Sequence, residues 1–329
     1  MGMMGCNSGG VKDPEKVFLS DIANLGKGFL EVFVSFGDMI TGTLGIKADT
    51  KKSDIGKYFS DIEKTMNSVK EKLQEEVSKN GQYEKVKTVV DQFITSVVDK
   101  IAEGAKESAK GAIGGDAIGN AVKEGQDAVA ADTTSVNLLV KGIRTIVGVV
   151  LKENEGDEKA DKTIDSDKKK VGQLFAKKND DRAQDTEAAK ASASVGAVSG
   201  ADILQAIAKS SEAVNVDEID KAKNAAEIAI APAKDEKKEV AVESAKKDAV
   251  IAAGIALRAM AKDGRFAAKQ DASDKYANAV NGAVASAVNK VLSTLVIAIR
   301  NRVDEGLKGI SEVLGEIKQG EGVAAKVIK

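Results

Sequence analysis

The sequence predicts an all-α protein, an elongated helical bundle whose long N- and C-terminal helices pack together, with a loop-rich middle projecting outward from them. Three observations carry this. Ala, Lys, Glu and Asp are abundant, aromatic residues make up only 3% of the chain, Trp is absent and Pro occurs twice. Ala, Lys and Glu are strong helix formers and Pro breaks helices. Valines, which would favour a sheet, recur instead at steps of three and four. The third observation is that glycines crowd between Gly104 and Gly125, while the most regular apolar periodicity lies towards the two ends. At 329 residues with 43% hydrophobic content, the chain can bury a sizeable core.

At the start of the chain, residues 1–12 read as a tether. Asp13-Pro14-Glu15 marks a helix start, because Asp caps and Pro is tolerated at the first helical position. Phe18, Ile22, Leu25, Phe29, Phe33, Phe36 and Ile40 then share one helical face. Five of the eight phenylalanines lie between Phe18 and Phe59, so this end holds much of the bulkiest core. A second helix carries Ile55, Phe59, Ile62, Met66, Val69, Leu73 and Val77, and is expected to end at Asn80-Gly81, where both residues tolerate the left-handed conformation. A third carries Tyr83, Val86, Val90, Phe93, Val97 and Ile101. Joined by a short turn, the second and third should form an antiparallel hairpin.

Gly104, Gly111, Gly114, Gly115, Gly119 and Gly125 predict a loop, because glycine raises the entropy cost of ordering. A fourth helix spans about Ser135 to Lys152. Residues 153–170 read as a solvated charged loop, with short helices near 170–178 and 184–195. Ser199 with Asp202 three residues on has the form of a capping box. Ala231-Pro232-Ala233 interrupts the next helix. Val240 to Ala261 is an alanine-rich helix, Lys262-Asp263-Gly264 a turn, and Val280 to Lys318 the longest periodic run. The longest apolar stretch, Val291 to Ile299, is broken by Ser293 and Thr294, and no transmembrane span is expected.

Composition excludes several function classes. Histidine is absent, which removes the usual general base, proton shuttle and commonest metal ligand. The 51 acidic residues are spread along the chain and single out no catalytic pair, so no enzyme, metal or cofactor is expected. The net charge of −2 lacks the basic excess of a nucleic-acid binder. Gly114 to Gly119 has the spacing that opens a phosphate-binding loop, but Asn120-Ala121 stands where Lys and Ser or Thr are required. Charge runs such as Asp165 to Lys170 and Lys234 to Glu239 read as solvated faces, with a weak anionic-polysaccharide site as the alternative. The phenylalanine stripe reads as core, with a lipid-binding cavity as the sharper alternative.

Cys6 is the one cysteine, so no intrachain disulfide forms. Its context, Met3-Met4-Gly5-Cys6-Asn7-Ser8-Gly9-Gly10, has a small residue before the Cys and a polar flexible tract after it, like the end of a bacterial lipoprotein signal. A charged region and an apolar region are expected upstream, beyond this chain's start. Met1-Gly2 also hints at myristoylation, but Cys6 stands where Ser or Thr is wanted.

Asp248 to Lys269 reads DAVIAAGIALRAMAKDGRFAAK. It resembles the invariant region of the variable surface lipoproteins of Borrelia spirochaetes, the variable large proteins and the related Vls antigen. CNSGG with a helix around Phe18-Leu19 agrees at the start, and NKVLSTLVIAIRNRVDEGLKGISEVLGEIK, Asn289 to Lys318, agrees at the end. The resemblance runs the whole length and is loose between about 104 and 240. It implies a lipidated tether over 1–12 and one helical antigen domain over 13–329, with variable loops at 104–240 and an invariant-like region at 248–269. It implies lipid on Cys6, display on the exterior face of the outer membrane with the loop-rich middle membrane-distal, host antibodies as partners, and antigenic variation in immune evasion. The alternative is an adhesin for a host glycosaminoglycan or serum protein. The apolar residues of 248–269, Val250, Ile251, Ile255, Leu257, Met260 and Phe266, are too many to leave exposed, so a structural role is expected there.

Overall fold

The computed structural model describes residues 14–39, 45–164, 167–177, 185–235, 239–269 and 274–318; Cys6 and the tether lie outside them. Among the described residues there are ten α-helices and three isolated bridges, Lys51 with Ala117, Gln126 with Ala268 and Val129 with Arg265. The all-α expectation holds.

Helix α1 (Pro14–Met39) begins at its proline, whose fixed φ suits the first turn. Its core stripe is Leu25, Phe29, Val32 and Phe36. Val32 takes the place expected for Phe33, which is 41% exposed. Helix α2 (Lys52–Lys79) buries all seven predicted apolar positions. It ends without a left-handed residue: Asn80 has φ −124°, and its side-chain amide donates to the Glu76 carbonyl at 3.0 Å, closing the helix from within.

The third predicted helix is longer than its periodicity suggests. α3 (Glu84–Phe93), a π-helical turn (Ile94–Val98) and α4 (Asp99–Gly111) succeed one another without a break. The start of α2 meets the end of α4, with Ser53 N–H donating to Gly114 O at 2.9 Å, so the hairpin is antiparallel. Gly104 and Gly111 are therefore helical, which corrects the loop expected from Gly104. Both face α5 (Thr133–Val150): a Cβ on Gly104 would stand 2.5 Å from the Gly142 carbonyl, and one on Gly111 2.5 Å from the Ser135 carbonyl. These glycines serve close helix packing, and the true loop runs over 112–132. Asp132 caps α5 by accepting from Ser135 N–H at 2.8 Å.

The charged loop after α5 is less solvated than expected. Gly156 (φ +83°) sits against the Ala201 backbone, where a side chain would collide, and Ala160 is buried. A 3-10 helix (Lys168–Phe175) buries Val171, Leu174 and Phe175. Then come α6 (Asp185–Ala197), α7 (Gly200–Lys209) with the predicted Ser199–Asp202 capping box, and α8 (Ala225–Ile230), which stops just before Pro232. Helix α9 (Asp248–Met260) is shorter than predicted: residues 240–247 are extended and turned, with Val240 N–H bonded to Lys169 O. The helix starts where Asp248 can place its carboxylate at the positive end of the axis. Asp263 (φ +65°) makes the predicted turn. Helix α10 (Asp274–Glu316) runs 43 residues and packs against α1, so the terminal helices do lie together.

Among the described residues two helices, α5 and the span Lys275–Glu316 of α10, are long and apolar enough to cross a membrane by length and composition. This corrects the expectation drawn from Val291–Ile299 alone. Half of each apolar window is buried in the bundle, and a helix at the centre of a large core reaches the same composition.

Candidate functional site

The segment 248–269 is the internal hub of the fold. Every residue of α9 is buried, including Asp248 and Arg258, and so is Phe266 beyond the turn. A helix apolar on all sides belongs inside a large core. Val250, Ile251, Ile255, Leu257, Met260 and Phe266 are all buried, as the sequence required.

The hub's polar groups are tied to the rest of the chain. Asp248 Oδ2 accepts from the backbone N–H of Lys162 and of Thr163, each at 2.7 Å, and Oδ1 accepts from Thr163 Oγ1 at 2.8 Å. Arg258 Nε donates to Ala229 O at 2.9 Å, and Nη2 donates to Ala231 O. The Arg258 guanidinium also lies 4.7 Å from the centre of the Phe175 ring, and Phe175 packs edge-on against Phe266. Burial pulls Arg258 down to about 9. Lys52, in the first turn of α2, reaches in to donate to Arg258 O at 3.2 Å and Ala259 O at 2.5 Å. Burial pulls its ammonium down to about 7, against the upward pull of Asp116 and Asp263. Sequence reasoning missed these groups. The one available signal was Arg258 itself, a cation at the end of an otherwise apolar run.

The loop with the spacing of a phosphate cradle is spent on packing. Gly114 O and Asp116 O accept from Ser53 and Lys52 N–H, Gly119 N–H donates to Ala48 O, and Asn120 bridges Gly264 O and Phe266 N–H. Among the described residues no group of three or more His, Cys, Asp or Glu could hold a metal. A cleft of about 770 Å³ between α5, α7 and the 151–158 loop is lined by Arg144, Lys152, Glu153, Gln205 and Lys209, with no paired nucleophile and base. Of the predicted stripe, Leu25, Phe29 and Phe36 are core, Phe18 and Ile22 are half-buried against it, and Ile40 lies outside the described residues. Phe33 lines an open cleft between α1 and α10 together with Leu30 and Leu307.

The outer surface is built differently. Between α7 and α8, Ala213, Val216, Ile219 and Ala222 are buried at every third position. Glu212, Val214, Asn215 and Asp217 face outward, and Val214 is 87% exposed. Asn137 brackets Ala213, donating to its carbonyl and accepting from its N–H, each at 2.8 Å. Such a strip is pinned by small anchors and leaves these four outward side chains without packing demands.

Known proteins are similar to this chain over most of its length. The Borrelia lipoprotein family model matches residues 29–314. The chain is 61% identical to Variable large protein 4 of Borrelia hermsii over 326 residues, 97% of this chain and 91% of the relative. It is 62% identical to Variable large protein 17 of the same organism over 324 residues, covering 97% and 90%. The crystal structure of the Lyme disease variable surface antigen VlsE of Borrelia burgdorferi superposes with a TM-score of 0.79 at 34% identity, covering 90% of this chain and 98% of that one. The chain belongs to the Borrelia lipoprotein family, in the group formed by the variable large proteins and the Vls antigens.

Proposed function

We propose that the chain is a surface antigen of antigenic variation, anchored in the outer membrane by lipid on Cys6 and facing the exterior, where successive variants evade host antibodies. Its work is display rather than catalysis. The observation that carries this reading is the kinship with variable large proteins across 97% of the chain. The geometry agrees with it. Helix α9 of the hub is internal, with Lys262, Asp263 and Arg265 of the turn beyond it exposed, and the other residues on offer to a large partner include loop side chains such as Glu212, Val214 and Asp217. Loop residues with few buried contacts can change at small cost to the fold.

Anchoring is tested in the full-length precursor expressed in a spirochaete. Cys6→Ser is expected to abolish palmitate labelling and release the protein from membranes. The loss should be large, since acyl chains contribute about 0.8 kcal/mol per buried CH₂ and stable anchoring takes more than one chain. Retention of both label and membrane association would sink the anchor. Exterior display is tested by protease treatment of intact cells, which should digest this protein and spare periplasmic markers.

A further inference from the structure

Five consecutive helices end in the same unusual way. The last turn of a helix leaves carbonyls without partners and carries the negative end of the helix dipole. The common solution is a glycine in the left-handed conformation just past the end. Here α5, α7, α8 and α9 end on Leu151, Ser210, Ala231 and Ala261, all with negative φ. A basic side chain from a distant element supplies the missing donors in each case, and at the end of α6 as well. Arg302 Nε donates to Val149 O at the end of α5, at 3.2 Å. Lys290 Nζ donates to Val195, Gly196 and Val198 carbonyls at the end of α6, at 2.7, 3.2 and 2.6 Å. Arg144 Nε donates to Ala208 O at 2.7 Å and its Nη2 to Ser210 O, at the end of α7. Arg258 does the same for α8, and Lys52 for α9.

We propose that these five cations are a positioning device that fixes the helix ends from outside the connecting segments, so that the segment after each helix carries no capping requirement of its own. Four of the donors, Lys52, Arg258, Lys290 and Arg302, lie outside residues 104–240, while four of the capped helices, α5 to α8, lie inside that range. The terminal and hub segments thus hold the ends of α5, α6 and α8, while Arg144, on α5, holds α7 from within the middle. The consequence deepens the reading of the chain as a variable antigen: the capping chemistry sits on packed helices, mostly in the frame, and the exposed segments can change without it. The device is a property of the fold alone, so its failure and the failure of the antigen reading are separate results.

Hydrogen exchange resolved by residue tests the device on the whole chain. Arg144→Met, Lys290→Met and Arg302→Met are made singly, at donors that are exposed or only partly buried. A lost charged hydrogen bond should speed exchange about tenfold or more in the last turn of the capped helix, which is α7, α6 and α5 respectively. Amides around the donor on its own helix should keep their rates. Arg144→Lys should fall between Arg144→Met and the wild type. Replacing Glu212, Val214, Asn215 and Asp217 together by Ser should leave α7 exchange and the melting temperature unchanged. Should Arg144→Met fail to fold, Arg302→Met, where one bond is lost, carries the same test. Unchanged exchange at the capped turns would overturn the proposal. So would loop replacement that frays α7 as much as Arg144→Met does.

Discussion

Asp248 offers a measurement with a calculable outcome. Its side chain is fully buried and holds two backbone N–H groups, those of Lys162 and Thr163, together with the Thr163 hydroxyl. The Lys168 ammonium lies 3.7 Å from Oδ1. Asp248→Ala removes every acceptor and takes the partner from three donors, the two backbone N–H groups and the Thr163 hydroxyl. Hydrogen bonds to a charged group contribute roughly 1.5–3 kcal/mol each, and an orphaned buried donor costs about 1–3 kcal/mol, so a loss of about 3–5 kcal/mol is expected. Asp248→Asn behaves differently. Its one carbonyl oxygen can take the Oδ2 position and keep both backbone bonds, while the amide group turns to the Thr163 hydroxyl, which can accept. The loss is then that of the charge, about 1–2 kcal/mol. Urea unfolding of both variants gives the numbers, and an unchanged m-value assures the comparison. Hydrogen exchange at 160–164 should rise in the Ala variant well before the rest of the chain. Equal losses for Ala and Asn, or a loss under about 0.5 kcal/mol for Ala, would refute the assignment of Asp248 as the acceptor that ties the loop to the hub.

The same geometry sets three further outcomes. Leu257→Ala, at a fully buried position of α9, should cost about 2–5 kcal/mol in thermal or urea unfolding; fast exchange throughout 248–269 with an unchanged melting temperature would mark an exposed patch instead. Gly142→Ala should destabilise by about 1–3 kcal/mol despite its better helix propensity, because the new Cβ meets the Gly104 carbonyl and Ser108 across the α4–α5 contact; a stabilised variant would show that the two helices can move apart freely. Lys52 makes stability depend on pH. Its folded pKa, about 7, lies below its ordinary 10.5, so between those values the unfolded chain binds more protons and stability rises with pH. Compared with Lys52→Met, the wild type should gain up to about 1.4 kcal/mol per pH unit between pH 7 and 9; parallel curves for the two proteins would show that Lys52 keeps its proton in the fold and would contradict the lowered pKa.

Much of the fold was legible because apolar periodicity reports burial directly. α2 shows this best: each of its seven predicted positions is buried. The departures have one common cause, which is that tertiary contact overrides local propensity. Gly104 and Gly111 look like loop residues by entropy, yet they are helical because α5 comes too close for a side chain. Phe33 fits the stripe by spacing, but the stripe drifts by one residue as α1 passes α10 and Val32 takes the core. Residues 240–247 have helical composition but form a turn instead of a helix, with Val240 tied to Lys169. The buried cations were the least legible. A lysine at the start of α2 gives no local sign that its ammonium ends 206 residues away on the carbonyl of Arg258.

That illegibility has a physical meaning for a protein of this group. A helix end closed by its own glycine shows itself in sequence, and it also fixes the residues next to it. A helix end closed by Arg144, Lys290 or Arg302 leaves no trace in the loop it serves, because the loop contributes only backbone carbonyls. Carbonyls are the one chemical group that every residue type supplies equally. The small anchors at Ala213, Val216, Ile219 and Ala222 ask for little more, since each needs only to be compact and apolar. The outward positions Glu212, Val214, Asn215 and Asp217 add nothing to that packing. A surface made this way can change its charge and shape at those four positions while the hub at 248–269, closed to water on all sides of α9, keeps the same contacts. Tolerance of the outside and rigidity of the inside are then one design: the donors that hold the helices lie on packed helices, all but Arg144 of them in the frame, and the acceptors they hold are common to any sequence.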